Sequence, residues 1–254
     1  MTRCLVIANQ KGGVGKTTTT ANLGAALAQA GRKTLVVDFD PQANLTSHLG
    51  VHLAEGQPSI YQAVMGQAQL RDLIHPTAQE NLSLIPASLD LAGAEVELVS
   101  VVGRETVLRD AFKTLKSARF DFILIDCPPS LGLLTINALT AATELLVPVQ
   151  TEFFALQGLT QLLSTVNLVR KRLNPRLALR GILPCLVDGR RNLSKEVLAR
   201  LTESFEGQIC RTSIRNAVAL AEASGHGKTV FDYAPRSHGA VDYAAFAQEV
   251  IAHV

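Results

Sequence analysis

The stretch ANQKGGVGKTTTTANLG, residues 8–24, decides the fold. It follows the short apolar run LVIAN (5–9) and leads into a helical pattern from about Lys16 to Ala30, where Gly31 supplies a stop signal. Strand, glycine turn and helix in that order make a phosphate cradle. Gly12, Gly13 and Gly15, with Val14 among them, let backbone N–H groups close around phosphate oxygens, and the helix start adds a favourable dipole. In loops of the form G-x-x-x-x-G-K-[ST] the lysine reaches the β- and γ-phosphates and the following hydroxyl binds Mg2+. Those roles fall to Lys16 and Thr17, with Thr18 at the α-phosphate. Two residues break the pattern. Gln10 stands where the first glycine belongs, and Lys11 adds a second cation, which by residue type alone is either a solvated charge or a functional group.

Outward from the loop, apolar runs and helical patterns alternate along nearly the whole chain. Further strands are expected at TLVVDFD (34–40), LSLIPA (82–87), FDFILIDCPPS (120–130), LLVPVQ (145–150), LRGILPCLVD (179–188) and GQICRTSI (207–214). Helical patterns fall near 59–65, 90–99, 104–117, 131–142, 157–173, 192–206 and 240–252. The strands are continuously apolar rather than alternating, which predicts a sheet covered on both faces. No Pro/Ser/Gly linker or repeat interrupts them. The reading is one α/β domain over 1–254, a doubly wound, mostly parallel sheet with helices on both faces.

Composition supports a packed core. Of 254 residues, 47% are apolar and 18% charged, which excludes intrinsic disorder. Cys4, Cys127, Cys185 and Cys210 are widely spaced and form no CxxC pair, so they read as small core residues in a reducing compartment. There is no export signal and no apolar stretch near the roughly 20 residues that span a bilayer. A soluble, cytoplasmic protein is expected. The net charge of +2 hides an asymmetry: residues 170–236 hold 13 Lys/Arg against 6 Asp/Glu, while the remainder holds 11 against 16.

Three aspartates close apolar strands. Asp38 and Asp40 end the second strand, at the edge where ligands gather in open α/β sheets. Asp126 ends ILID, as the acid that holds Mg2+-bound water does in phosphate-loop enzymes. Aspartates at strand ends also cap turns and helices, so each has a structural alternative. No [NT]KxD guanine-reading motif is present.

KGGVGKTT resembles the deviant Walker A motif of the P-loop NTPase family that contains ParA/Soj partition ATPases, MinD, nitrogenase iron protein and ArsA. The likeness continues through DPQANLTSHLG, IPASLDLAGAEVELV, DCPPSLGLLTINALTAA and PVQTEFFALQGLTQLL, and is to the short ParA/Soj type without an N-terminal helix-turn-helix. It implies ATP and Mg2+ as the nucleotide and its ion, and slow hydrolysis is expected because no arginine finger or Ras-like glutamine is evident. It also implies that Lys11 crosses to a twin subunit's nucleotide, giving a homodimer when ATP is bound. Asp40 then positions the attacking water in a switch I segment, Asp38 assists through the Mg2+ shell, and the CPPS turn matches switch II. The catalytic set is Lys11, Lys16 and Asp40; the metal set is Thr17, Asp126 and Asp38. The base pocket is expected around TSIRNAVAL (212–220).

The same resemblance implies that the ATP dimer binds double-stranded DNA non-specifically, sits on the nucleoid, and is released when a ParB-like adaptor stimulates hydrolysis. The basic C-terminal third offers a physical basis, because neutralised phosphates release counterions. Arg190 and Arg191 match a position linked to DNA; Arg215, Lys171, Arg172, Arg200 and Arg211 are weaker candidates. One departure concerns SIRNAVALAEA, where Ala219 stands in place of an arginine of the form IPRNVRLxEA, so the cargo stays open between chromosome, plasmid and protein assembly. Two rival classes follow from the same loop. A MinD-like membrane regulator needs a basic amphipathic C-terminal helix, but the 18 residues after Arg236 hold no Lys or Arg, so AAFAQEVIAHV is expected on the core and no membrane partner is expected. An iron–sulfur reductase or metabolic ligase needs a further substrate motif, and none is visible.

Overall fold

The computed structural model describes residues 2–117, 120–152 and 155–252. Phe153 and Phe154 of the PVQTEFFALQ stretch, and His253 and Val254 of the C-terminal helix pattern, lie outside them. Seven strands form one sheet: β1 (Arg3–Ile7), β2 (Thr34–Asp38), β3 (His75–Pro76), β4 (Leu82–Ile85), β5 (Phe122–Asp126), β6 (Glu144–Gln150) and β7 (Ala178–Cys185). Their order is β3-β4-β2-β5-β1-β6-β7, and every described pairing is parallel except β3 with β4.

The apolar runs make this a two-sided sheet because successive side chains point to opposite faces. Val6, Leu35, Val37, Ile123 and Ile125 enter one core; Leu5, Ile7, Val36, Phe122 and Leu124 enter the other. The first core is covered by α3 (Ile60–Val64), α4 (Leu91–Glu97), α5 (Val107–Phe112), α6 (Leu133–Ala141), α7 (Ala155–Arg172) and α8 (Asn192–Ser204). The second is closed by α1 (Lys16–Gln29) and α11 (His238–Ala252). Gly24 lets α1 sit close to the sheet: a Cβ there would lie 2.7 Å from Val36 Cγ1. As expected, α11 turns Tyr243, Phe246, Ala247 and Val250 inward.

Register places the chemistry. Ile7 and Asp38 both stand opposite Asp126, so β1, β2 and β5 end level. The glycine loop and the strand-end acids therefore meet at one sheet edge, where β1 divides the strand order.

Several expected elements change at their ends. The helix expected over 104–117 is α5 flanked by tight 3-10 turns at Arg104–Thr106 and Lys113–Ser117. Three short helices carried no sequence signal: α2 (Asn44–His48), α9 (Val218–Gly225) and α10 (Val230–Tyr233). The expected strand at 207–214 is an irregular edge with one isolated bridge, Ile209 to Ile182 of β7, and Arg215 just beyond it bridges Val187. Cys210 N donates to Ile182 O and Ile214 N to Pro184 O, so four residues of this segment cover two of β7. The surplus amides of Arg211 and Thr212 turn away and donate to the Glu249 carboxylate, each at 2.8 Å. A regular ladder cannot form across that mismatch.

Candidate nucleotide site

The loop is open where a ligand needs it open. Gly13 and Gly15 take left-handed φ values of 72° and 92°, which side chains resist. A Cβ at Gly12 or Gly13 would meet nothing within 4 Å, so the cradle faces free space. Gly15 caps α1 without any side-chain cap, leaving the first-turn amides available. Val14 is buried and anchors the loop, so it contributes to the cradle through its backbone.

The two lysines face different surroundings. Lys16 is 7% exposed, and its Nζ curls back to donate to the Lys11 carbonyl at 3.2 Å. Burial pushes its ammonium pKa down, against the opposing charges of Asp126 and Asp40. Lys11 instead has a side chain 40% exposed, and it pairs with Glu152 at the surface.

Asp126 lies at the centre. Thr17 Oγ1 donates to its Oδ2 at 2.7 Å and Thr20 Oγ1 to its Oδ1 at 3.2 Å. Complete burial, with Asp38 as the second cause, pushes this carboxyl up to about 8. Asp38 is also fully buried and is pushed up to about 6, mainly by desolvation. Its Oδ2 accepts from Thr46 N at 2.8 Å and Thr46 Oγ1 at 2.6 Å, and its Oδ1 accepts from Asp40 N at 3.2 Å. Asp38 thus holds the Asp40 segment in place, with its oxygens engaged by that segment. Asp40 lines the cleft beside Lys16 and accepts from Gln42 N at 3.0 Å.

These residues fit a magnesium–nucleotide pair. Buried carboxylates held above their ordinary range are groups that a cation would stabilise. A hydroxyl, Thr17, adjoins Asp126, and the glycine loop and Lys16 adjoin both.

The cleft has a volume of about 690 Å3 and runs from Gly12–Thr18 to Ile214, Asn216 and Val218. The segment expected at the base pocket therefore does reach it. Leu186 bends the chain there with φ 54°, left-handed for a branched side chain. Arg215 is set differently: its guanidinium grips Asp242 at 2.5–3.1 Å. Arg190 and Arg191 stand on the turn before α8 and share Asp188, with side chains 93% and 77% exposed. Arg170, Lys171, Arg172 and Arg176 are exposed around the end of α7.

Sequence reasoning missed Thr20, Thr46, Glu152 and Asp242. Thr20 follows Lys16 by one helical turn, so the TTTT run carried a usable signal. Asp242 sits between inward-facing positions of an apolar helix, which marks a carboxylate needing a partner. Glu152 had no such signal, since its partner Lys11 lies across the fold, and Thr46 had none because the turn that returns it to Asp38 is not marked in the sequence.

The family model described as an AAA domain matches residues 2–179. The chain is 48% identical over 253 residues to the sporulation initiation inhibitor protein Soj of Bacillus subtilis, covering 100% of both chains. It is 45% identical over 249 residues to the chromosome partitioning protein ParA of Myxococcus xanthus, covering 98% of this chain and 88% of that one. Among solved structures it is similar to cobyrinic acid a,c-diamide synthase from Mycobacterium smegmatis with bound ADP and magnesium. That match has 40% identity and a TM-score of 0.88, covering 100% of this chain and 95% of that one. The glycine loop, the strand-end acids and full-length likeness to partition proteins lead to one conclusion: the chain belongs to the Soj/ParA family of chromosome-partitioning P-loop ATPases.

Proposed function

We propose that this partition ATPase works by ATP-dependent pairing of two copies on DNA, with hydrolysis dissolving the pair. The observation that carries the reading is the contrast between its lysines: Lys16 is buried in its own cleft, whereas Lys11 leaves the same loop toward the surface and Glu152. A cation so placed is available to a second copy's triphosphate, where it offsets the repulsion between two facing nucleotides.

Within one subunit the backbone amides of Gly12–Gly15 and the Lys16 ammonium bind the phosphate chain, and Thr18 lines the path at the α-phosphate. Thr17 and Asp126 would hold Mg2+, which supplies positive charge to the phosphate oxygens. Asp38 fixes the Asp40 segment through Thr46, and Asp40 orients the attacking water and accepts its proton. The basic C-terminal third, led by Arg190 and Arg191, binds duplex phosphates without reading sequence. The likeness to chromosome partitioning proteins supports a DNA cargo, and a ParB-like adaptor with a cytoplasmic, nucleoid-associated location belongs to the same proposal. A membrane-bound role is disfavoured by α11, whose apolar face is buried, and no described helix is long and apolar enough to cross a membrane.

Light scattering with Mg-ATP tests the reading. The chain should dimerise only with ATP, and Lys11→Ala should remain monomeric. A Lys11→Ala dimer of normal affinity would refute the role given to that residue.

A further inference from the structure

The run 88–100 is helical and apolar on two faces. α4 continues directly into a 3-10 turn at Leu98–Ser100, and Ala92 N and Gly93 N donate to Leu89 O and Asp90 O, so the run begins a turn early. Leu91, Ala94 and Leu98 point inward and are buried. Leu89, Ala92, Val96 and Val99 repeat that spacing of three and four on the outer side. All four are exposed, Leu89 at 72%, Val96 at 75% and Val99 at 61%, and Val102 just beyond them is fully exposed. A helix apolar all round belongs in an interior, so the outer stripe lacks a cover.

Acidic residues frame the stripe. Residues 88–106 hold Asp90, Glu95, Glu97 and Glu105 against one cation, Arg104. That arginine is already engaged, by Glu105 at 3.2 Å and by the Val99 carbonyl at 2.6 Å. Two copies meeting stripe to stripe would bring their Asp90 and Glu97 side chains together, which like charge opposes. The cover that fits is a protein segment with its own apolar stripe flanked by Lys or Arg, laid along α4.

The inner side of the same run is tied to the nucleotide site. Glu95 Oε1 accepts from Leu134 N at 3.4 Å, at the start of α6, and a Cβ at Gly132 would collide with that oxygen. Asn137 Nδ2 on α6 donates to Arg104 O at 2.7 Å, and its Oδ1 accepts from Leu108 N at 3.3 Å. The turn 127–132 joins α6 to Asp126. We propose that the outer stripe of α4 docks a cationic amphipathic protein segment, and that Glu95 transmits the docking to the turn after Asp126, changing the rate of hydrolysis. The rate effect rests on the reading of the cleft as an ATPase site; the docking does not.

Fluorescence titration of the full chain without nucleotide tests the docking, using a synthetic helical peptide of about 14 residues with Leu at i, i+3, i+4 and i+7 and Lys elsewhere. The controls are the same composition scrambled and the same pattern with Glu in place of Lys. The wild type should bind the first peptide about tenfold more tightly than either control. Val96→Ser with Val99→Ser should weaken it about tenfold by removing apolar area, and Asp90→Asn with Glu97→Gln about threefold by removing charge. With Mg-ATP, saturating peptide should change phosphate release by at least about threefold, and Glu95→Ala should bind the peptide normally yet lose that change. Equal binding of all three peptides, or binding untouched by the stripe variants, overturns the docking surface. Self-association without nucleotide that the valine variants abolish also overturns it, because a second copy then covers the stripe. Tight docking with unchanged phosphate release, or a change that survives Glu95→Ala, overturns the link through Glu95 and leaves the ATPase reading intact. A chain that hydrolyses no ATP with or without peptide overturns that reading, and the docking then stands or falls on the titration.

Discussion

Asp126 ends one strand and Arg190 follows another at the same sheet edge, yet they stand in opposite settings. Asp126 closes a central strand, is fully buried, and receives two threonine hydroxyls. Arg190 follows the edge strand, is almost wholly exposed, and pairs with Asp188 in the same turn. The central region is preset, so its carboxylates and Lys16 are positioned before any ligand arrives. The edge region is set differently: Arg190 and Arg191 share Asp188 in their own turn and are otherwise exposed. Chemistry needs the first arrangement, because reorganising charges during a reaction is costly. The proposed non-specific attachment to DNA suits the second, because exposed cations can neutralise phosphates of any sequence.

The largest effect should come from the central region. Asp40→Ala should bind Mg-ATP but hydrolyse it at least about 100-fold more slowly, the loss typical of a missing general base. Normal turnover in a phosphate-release assay would remove Asp40 from that role. At the edge, Arg190→Ala with Arg191→Ala should weaken duplex binding about tenfold and lower the salt slope of log affinity by about two. An unchanged slope in gel shifts across a salt series would place the DNA contact elsewhere, with the basic cluster at the end of α7 next to be tested.

A third change sharpens the contrast by trading stability against binding. The unfolded carboxyl of Asp126 titrates near its ordinary value of 3.8, whereas in the nucleotide-free fold it is pushed up to about 8. Between those values the folded state retains a proton that the unfolded chain releases, so this group makes stability fall as pH rises across that window. Asp126→Asn should therefore raise the melting temperature of the nucleotide-free protein at pH 8 relative to pH 5, while Mg2+-dependent ATP binding is lost. A variant less stable than wild type at pH 8 would contradict that account. The smallest effect should be Arg215→Ala. With Asp242 mostly buried and Arg215 part-exposed, its loss should lower the melting temperature by a few degrees, about 2–4 °C for roughly 1 kcal/mol in a chain of this size. Scanning calorimetry checks this, and no change would leave Arg215 free for DNA.

The alternation of apolar strands and helices made the doubly wound sheet readable, and Asp38, Asp40 and Asp126 could be placed at one edge because each ends an apolar run. The error at 207–214 has a definite source. GQICRTSI has the composition of a strand, but β7 offers too few partners for it, and Glu249 takes the surplus amides. The helix α2 was unreadable for a different reason. Five residues are too few to show a period or to hold a helix alone, and its formation depends on Asp38 capturing Thr46.

The sequence by itself determined the phosphate loop, the strand-end acids and the family, because each lies in a contiguous stretch whose chemistry is local. Only the tertiary structure decided that Lys16 is buried while Lys11 reaches the surface and pairs with Glu152, and that Asp38 holds the segment beyond Asp40 through Thr46. The site's long-range contacts join residues far apart in the chain, such as Lys11 with Glu152 and Thr17 with Asp126. Burial, which no stretch of sequence carries alone, is what sets Asp126 apart from the exposed Lys11–Glu152 pair.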